Sequence, residues 1–396
     1  MRFKREISSR IEQIVRFFPA LVLTGSRQSG KTTLSRGMFP DHAYASLDLP
    51  ADAQLAEEDP DTFLAKYPPP VLIDEVQYAP RLFRHLKVEI DRCRAQNGRF
   101  ILTGSQKFPL MKSVGDSLAG RCGVLELEPL SGSELGAILD DAVARHGLAY
   151  VLARGGYPQL WDVPDMPRED FFRSYVATYI ERDVRQILNI ASLRDFDRFI
   201  RVCAVRTGQV LNKSEIAKEV GVSAKTINDW LGLLHAGNQV VLLEPYFENV
   251  GKRVVKSPKL YFTDTGLVSF LLGLDHSNLL DSPHLGHLWE TFVCAELRKY
   301  LFIHRPEASL WYYRDQQREA DFVISCGGKL HLMDAKWKAI PTERDFSALR
   351  AIQRQFKQAA PELTLITSGK DSFPVAPGLQ AQSGLRLAEL VRSRHG

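Results

Sequence analysis

The chain has 396 residues, more than one ordinary compact domain needs, so we expect two to four domains. Its composition, 44% hydrophobic and 25% charged residues, is that of a globular protein with sizeable cores. The net charge of +4 permits a polyanionic partner without demanding one.

The five cysteines and the basic N-terminus argue against secretion. The cysteines are odd in number, widely spaced and form no CxxC pair, which disfavours a disulfide framework and a zinc knuckle and fits a reducing compartment. Charged residues such as Glu6 and Arg10 interrupt any apolar leader. No uncharged apolar run approaches the roughly 18 residues of a membrane span. We therefore expect a cytoplasmic protein without a membrane partner.

The first predicted elements are a helix and a parallel sheet. Ile7, Ile11 and Val15 recur at four-residue spacing, which indicates a short amphipathic helix. Three apolar runs follow at 20–24, 71–74 and 100–103, separated by helical stretches. Short apolar runs that alternate with helices are typical of a parallel sheet buried on both faces.

The rest of the chain reads as three further blocks. Residues 131–200 are mostly helical in pattern, and 214–234 read as a compact helix-turn-helix. Runs at 240–243 and 253–262 flank the turn sequence NVGK, which predicts a hairpin. Residues 285–370 read as helix, strand, strand, strand, helix, strand.

A phosphate-binding loop follows the first strand. The sequence GSRQSGKT fits GxxxxGK[ST] in full, and we expect a helix to begin at Thr33 and Leu34. Glycines let consecutive N–H groups face phosphates, and the helix N-terminus adds positive potential. Lys31 reaches the β- and γ-phosphates, and the Thr32 hydroxyl ligates Mg²⁺. The predicted ATP-binding residues are Gly25, Ser26, Arg27, Gln28, Ser29, Gly30, Lys31, Thr32 and Thr33.

Two later strand ends add acids and a hydroxyl. VLIDE has the form of a Walker B segment, in which Asp74 holds Mg²⁺ and Glu75 orients and deprotonates the attacking water. An acid beside the metal-binding acid favours hydrolysis over mere binding. The third strand leads to Ser105, our candidate sensor of the γ-phosphate, although a hydroxyl at a strand end is common for other reasons.

Arg121 closes the segment DSLAGR just before the next apolar strand. An arginine there could act as an arginine finger on a neighbouring subunit's γ-phosphate, which implies a ring or filament. The alternative is an arginine in the last turn of a helix, where the helix dipole favours it.

Several segments of the chain carry a family resemblance. The segments LTGSRQSGKTTL, VLIDEVQYAP, FILTGSQKF, SLAGR and RGGYPQLW resemble bacterial and archaeal AAA-type ATPases that carry a C-terminal nuclease-like domain of unknown function. The resemblance continues through YIERDV, KLYFTDTGL, HLWETFVCAEL, YYRDQQREADFVI and HLMDAKW, so it covers nearly the whole chain. It implies ATP binding, a helical lid, a winged helix and a nuclease-like fold.

The helix-turn-helix at 214–234 is a winged-helix candidate. We expect Ser214 to cap its first helix and Gly221 to turn the chain. In a DNA-binding version, Lys225, Thr226 and Asn228 enter the major groove, and Lys252 and Arg253 of the wing contact phosphates. The alternative is a structural or protein-docking role, because Lys225 is the second helix's one cation and Asp229 opposes it.

The final block resembles the PD-(D/E)XK arrangement of nucleases. Asp334 and Lys336 are two apart on a strand, so they project from the same face, and a neighbouring strand can bring Asp321 alongside. Two carboxylates bind Mg²⁺, the lysine helps to hold the attacking water, and Glu290 completes or orients the site. The alternatives are an exposed ion pair, or a fold kept for binding without cleavage.

These observations combine into a four-domain prediction. The fold class is α/β, with an AAA-type P-loop NTPase core at 1–130, a helical lid at 131–200, a winged helix at 201–265 and a restriction-endonuclease-like domain at 266–396. The predicted function is Mg²⁺-dependent ATP hydrolysis by a homo-oligomer, coupled to DNA binding or remodelling with or without metal-dependent cleavage. The alternatives are a nucleotide-driven signalling or defence switch that acts on a protein partner, and an inert scaffold that ATP merely stabilises.

Overall fold

The described residues of the chain form two compact units. The computed structural model describes residues 3–105, 114–115, 117–178, 193–247, 257–356 and 361–392. The first unit comprises Met1–Leu130 with the short segments Tyr157–Asp162 and Ala236–Asn238, and the second comprises the remainder. The four-domain division stays a prediction.

The first unit is built on a five-stranded parallel sheet. Its strands are β1 (Ala20–Thr24), β2 (Ala43–Ser46), β3 (Val71–Asp74), β4 (Phe100–Thr103) and β5 (Cys122–Glu126). Their order is β2-β3-β4-β1-β5, so β1 lies between β4 and β5. All residues of β1, β3 and β4 are buried, as the continuous apolar runs predict. Because the strands are parallel, their carboxyl ends meet at one edge.

Helices surround this sheet. They are Ser8–Phe17, Lys31–Met38, Pro50–Glu58, Pro60–Lys66, Leu82–Arg92 and Pro158–Asp162. The core between them and the sheet includes the fully buried Phe63, Phe83 and Phe100. The first helix and the bounds of β1, β3 and β4 confirm the sequence predictions. The helix after the phosphate-binding loop begins at Lys31, not Thr33, and β2 was not predicted.

The second unit begins with helices. They are Gly132–Leu135, Ala137–His146, Leu148–Arg154, Arg168–Thr178 and Leu193–Val205, in agreement with the helical pattern. The helices Lys213–Val220 and Ala224–Ala236 follow, joined at Gly221, whose φ is 86°. The cap of the first of these is Asn212, whose side chain accepts from Glu215 N at 3.2 Å, so the prediction of Ser214 as cap was wrong.

The second unit also contains a small antiparallel sheet. Its strands β6 (Gln209–Val210), β7 (Val240–Leu243) and β8 (Lys259–Phe262) lie in the order β6-β8-β7. Within the predicted second hairpin strand, 253–262, residues 253–256 lie outside the described residues, and β8 begins at Lys259, after Ser257 and Pro258. The turn between the two strands lies outside the described residues.

A six-stranded mixed sheet completes the second unit. Its strands are β9 (Ser309–Arg314), β10 (Glu319–Cys326), β11 (Lys329–Lys336), β12 (Glu362–Thr367), β13 (Phe373–Ala376) and β14 (Leu379–Ser383). They lie in the order β13-β14-β12-β11-β10-β9. The helix Leu285–His304 precedes them, and Ser347–Gln353 lies between β11 and β12, as the sequence predicted.

Further helices lie elsewhere in the second unit. They are Thr265–Leu271 after β8 and Leu387–Arg392 at the end of the described chain. Across the described part of the chain, none of the helices combines the length and the apolar character that crossing a membrane requires.

Candidate functional site

The phosphate-binding loop leaves β1 through a backbone that only glycine adopts comfortably. Gly25 has φ 144°, and a Cβ there would lie 2.1 Å from the carbonyl oxygen of Leu127. Gly30 has φ 95° and immediately precedes the helix Lys31–Met38. Gln28 also has a positive φ, 59°. The loop is therefore tightly curled against the chain that follows β5, with a helix N-terminus at its end.

Two cations brace this loop. Lys31 Nζ donates to Gly25 O at 2.9 Å and to Ser26 O at 2.8 Å. Arg5, which is 6% exposed, donates from Nη1 to Ser29 O at 2.8 Å and from Nη2 to Glu128 O at 2.5 Å. Both positive groups lie at the loop, so its potential suits an anion such as a phosphate.

The carboxylate of Asp74 gathers three hydroxyl groups. Thr32 Oγ1 donates to Asp74 Oδ2 at 2.8 Å, and Tyr44 OH donates to the same oxygen at 3.3 Å. Thr103 Oγ1, at the end of β4, donates to Oδ1. Burial and the charge of Asp74 raise the pKa of Tyr44, which keeps its phenol protonated as the donor. The sequence motifs predict Thr32 and Asp74 at this site but not Tyr44 or Thr103.

Glu75 is held in a strained backbone conformation. Its φ of 54° and ψ of 44° are left-handed, which costs a residue with a side chain about 1–3 kcal/mol. Ser105 donates to Glu75 Oε2 from Oγ at 2.9 Å and from N at 3.3 Å, and Gln77 Nε2 donates to the same oxygen. The structure thus places Ser105 in contact with the Glu75 carboxylate, and its role as a γ-phosphate sensor stays a prediction.

The residues at this sheet edge fit a magnesium ion. The Thr32 hydroxyl and the Asp74 carboxylate are hard oxygen donors in contact with each other. Mg²⁺ in nucleotide sites is commonly bound by one or two such protein groups, with phosphates and waters completing its shell. Thr33, the last of the predicted ATP-binding residues, is exposed and directly follows Thr32 in the chain.

Arg121 lies at the end of a turn before β5 and is engaged within its own chain. It donates from Nε and Nη2 to the two carboxylate oxygens of Asp91, both at 2.8 Å. This hydrogen-bonded pairing raises the pKa of Arg121 and lowers that of Asp91. A role for Arg121 on a neighbouring subunit requires that this bidentate pair open.

The predicted DNA-reading helix Ala224–Ala236 presents a mixed surface. Lys225 and Asn228 are exposed, and Thr226 is half-buried. Lys213 Nζ donates to Asn228 Oδ1 at 2.7 Å, and Thr226 N donates to Ser223 Oγ at 3.0 Å. The predicted wing residues Lys252 and Arg253 lie outside the described residues.

The structure brings the four nuclease-like residues together. Asp321 on β10 and Asp334 on β11 bind each other's strands: Asp321 N donates to Asp334 Oδ1 at 3.1 Å, and Ala335 N donates to Asp321 Oδ2 at 3.0 Å. Lys336 Nζ lies 3.6 Å from Asp334 Oδ2. Glu290, from the helix Leu285–His304, is linked to them by a residue that no sequence motif predicts.

That residue is Lys259, the first residue of β8. Its ammonium lies 2.8 Å from Glu290 Oε1 and 3.4 Å from Asp321 Oδ1, and it also contacts Glu319. Tyr261 OH donates to Glu290 Oε1 at 2.5 Å. We call Glu290, Glu319, Asp321 and Asp334 the carboxylate cluster.

Burial and crowding shift the pKa values in the carboxylate cluster. Burial and the charge of Asp321 raise the pKa of Glu290 to about 8 and that of Asp334 to about 7. Burial alone would lower the pKa of Lys259, but the surrounding carboxylates outweigh it and raise that pKa. Lys259 is therefore charged at neutral pH.

The carboxylate cluster as arranged does not fit a metal ion. An ammonium lies among the oxygens that a metal would use, within 2.8 Å of Glu290. Throughout the residues that the structure describes, no group of three or more His, Cys, Asp or Glu side chains is placed to hold a metal.

Three family models match successive parts of the chain. An AAA domain matches residues 18–136, a domain of unknown function (DUF8612) matches 145–278, and a second domain of unknown function (DUF4143) matches 285–382. The first match contains the phosphate-binding loop, Asp74 and Glu75, and it confirms the predicted AAA-type ATPase domain. The nuclease-like identity of the C-terminal part stays a prediction.

Two curated proteins are similar over nearly the whole chain. The uncharacterized proteins Rv2008c of Mycobacterium tuberculosis and Mb2031c of Mycobacterium bovis are each 32% identical over 387 residues. The match covers 94% of this chain and 82% of each relative.

Solved structures show weaker similarity. The Walker-type ATPase PABY2304 of Pyrococcus abyssi is 15% identical, with 68% of this chain and 95% of that one covered and a TM-score of 0.48. The RuvB Holliday junction branch migration motor of Thermotoga maritima is 16% identical, with 61% and 90% covered and a TM-score of 0.33. Because both TM-scores lie below 0.5, neither bears on function here.

Proposed function

This chain belongs to the family of AAA-domain proteins that includes Rv2008c of Mycobacterium tuberculosis, and we propose that it is a Mg²⁺-dependent ATPase whose nucleotide cycle is coupled to DNA binding or remodelling. The observation that carries the ATPase part is the contact of Thr32 with Asp74, 2.8 Å apart, with Glu75 as the next residue. It joins the phosphate-binding loop to the acidic strand end.

Each residue of this site has a defined task. Lys31 and the N–H groups of the loop bind the β- and γ-phosphates, while Thr32 and Asp74 hold Mg²⁺, which neutralises phosphate charge when bound. Glu75 accepts the proton of the attacking water. Ser105 and Gln77 fix the direction of the Glu75 carboxylate through their contacts with Oε2. Such prior positioning lowers the reorganisation that catalysis otherwise requires.

The DNA part of the proposal rests on the second unit. The helix Leu193–Val205, β6, the helix pair 213–236, β7 and β8 follow one another in that order, and β6 lies beside β8. This is the element order expected of a winged helix. Exposed Lys225 on the second helix of the pair is available for a phosphate. We further propose a cytoplasmic homo-oligomer, a ring if Arg121 serves a neighbour's site.

A protein-directed switch is the second candidate function. The exposed face of Ala224–Ala236 carries Asp229 as well as Lys225, and Asn228 is engaged by Lys213. This mixed charge suits a protein surface as well as a phosphate backbone. The switch predicts slow hydrolysis that DNA does not change, with different oligomers in ATP and ADP.

One experiment separates these functions. ATP turnover with Mg²⁺ is measured with and without duplex, branched and single-stranded DNA and with RNA, over a series of salt concentrations. We expect at least one DNA form to raise turnover, and log affinity to fall with log salt by about 0.9 per phosphate contact. Lys225→Ala should weaken binding, whereas Lys370→Ala, at an exposed lysine of the C-terminal part, should not.

Two results would contradict the proposal. Turnover that no nucleic acid changes would remove the DNA part and favour the switch. Thermal stabilisation by ATP without any turnover, even at high protein concentration, would leave the inert scaffold.

A further inference from the structure

Lys259 is unusually well fixed for a lysine. β8 is the central strand of its sheet, and Lys259 is paired with Val210 of β6 on one side and Leu243 of β7 on the other. Its backbone therefore cannot move without breaking the sheet. Its side chain is 2% exposed, which is rare for lysine and is stable only where the charge is compensated.

The surroundings of the ammonium compensate this charge. Glu290 contacts it from the helix Leu285–His304, and Glu319 and Asp321 contact it from β10. The ring of Tyr312, which is fully buried, has its centroid 5.7 Å from Nζ. Carboxylates and an aromatic face thus enclose one cation.

The same oxygens are the ones a divalent ion would need. Mg²⁺ requires oxygens at about 2.0–2.1 Å in near-octahedral geometry. Asp321 and Asp334 already use one oxygen each for a backbone N–H of the opposite strand. A metal between Glu290 and Asp321 would also lie beside the Lys259 ammonium and be repelled by it.

We propose that Lys259 is the resident cation of the carboxylate cluster, that it closes the cluster to divalent metal, and that this domain therefore does not cleave nucleic acid by a metal-dependent route. The cluster's function is then to fasten β8, and with it the small sheet, to β10 and the helix Leu285–His304. Removing the ammonium leaves the carboxylates facing one another, which creates a divalent-cation site.

The test is a Mn²⁺ titration of the full chain by calorimetry, without nucleotide. Every chain carries Asp74→Asn, so that Mn²⁺ at the nucleotide site is not counted. With Lys259 present, we expect no saturable site tighter than about 1 mM, the weak end of natural divalent sites. With Lys259→Met, we expect one Mn²⁺ site per chain, with a dissociation constant about tenfold or more below 1 mM. Asp321→Asn should abolish it.

Controls and thermal melting complete the experiment. Lys329→Met, at an exposed lysine of β11, should create no site. Mn²⁺ should raise the melting temperature of the Lys259→Met chain and not that of the chain with Lys259, because a bound ligand stabilises the folded protein by mass action. Lys259→Gln serves as a second variant of different polarity.

Three results would overturn the proposal. One is a saturable Mn²⁺ site in the chain with Lys259 that Asp321→Asn removes. Another is a folded Lys259→Met or Lys259→Gln chain without a Mn²⁺ site. The third is a pair of variants that remain unfolded in millimolar Mn²⁺, because the metal should then replace the missing ammonium.

Discussion

At the scale of single residues, the nucleotide site depends on the direction of one carboxylate. Glu75 has a left-handed backbone, and Ser105 and Gln77 converge on its Oε2. Strain of this kind persists where the surrounding structure over-determines it, and it is common at active sites. The strain and the hydrogen bonds together support Glu75 as the residue that receives a proton.

Glu75→Gln should therefore separate binding from turnover. The amide keeps the size of the side chain but cannot accept the proton, so we expect turnover to fall about 10²- to 10⁴-fold with ATP affinity within a few-fold of the original. Steady-state hydrolysis and binding of fluorescent ATP measure the two quantities.

Two control variants show whether the effect is specific to Glu75. Glu12→Gln, at an exposed glutamate of the helix Ser8–Phe17, should change neither quantity, and Lys31→Ala should remove binding itself. Turnover that survives Glu75→Gln would assign the proton transfer to another group.

At the scale of elements, the site is made by strand ends that come together in one sheet. β1 supplies the loop, β3 supplies Asp74 and β4 supplies Thr103, and β3 and β4 are direct neighbours. The loop must also pass against the residues after β5, where Gly25 approaches Leu127. Glycine is required there both by space and by φ.

Gly25→Ala should unfold this corner of the sheet. The added Cβ would meet Leu127 O at 2.1 Å, and we expect a loss of about 2–4 kcal/mol in the free energy of unfolding from overlap and backbone strain. Urea denaturation and ATP binding measure the effect. Gly232 lies in a helix with open space around it, so Gly232→Ala should instead raise the free energy of unfolding by about 0.5–1 kcal/mol. Equal effects of the two substitutions would contradict the close approach.

At the scale of the whole molecule, the described chain forms two compact units, and the small sheet and the six-stranded sheet lie in the same one. Tyr246 N donates to Tyr312 O at 2.6 Å, and Tyr312 N donates to Glu244 O at 3.1 Å, so the chain after β7 is hydrogen-bonded to β9. Lys259 adds a buried ionic link between the same two sheets.

The role of Arg121 depends on whether several copies of the chain assemble. If it is an arginine finger, Arg121→Ala should lower turnover about 10³-fold or more, and turnover per chain should rise with protein concentration. Asp91→Ala removes the intrachain partner, so it should preserve turnover.

A structural role for Arg121 predicts a different pattern. Both substitutions would then lower the melting temperature by similar amounts, and neither would affect turnover specifically. Turnover at several protein concentrations and melting curves, measured on the same preparations, distinguish the two roles.

The sequence by itself determined the parts of the site that are contiguous in the chain. A loop of fixed spacing lies between a buried strand and a helix, and an acidic pair ends a second buried strand. These motifs predict Lys31, Thr32, Asp74 and Glu75 as site residues, because such motifs depend on local backbone geometry. The bounds of β1, β3 and β4 followed from their uninterrupted apolar runs.

Only the tertiary structure decided which distant side chains meet. Tyr44 and Thr103 join Asp74, and Arg5 braces the loop, across separations that no local pattern encodes. Lys259 lies 31 residues from Glu290 and 62 from Asp321, yet its ammonium lies between them. The physical reason is that a buried charge is tolerated only with its partners in place, and packing of the helix Leu285–His304 and the two sheets supplies those partners.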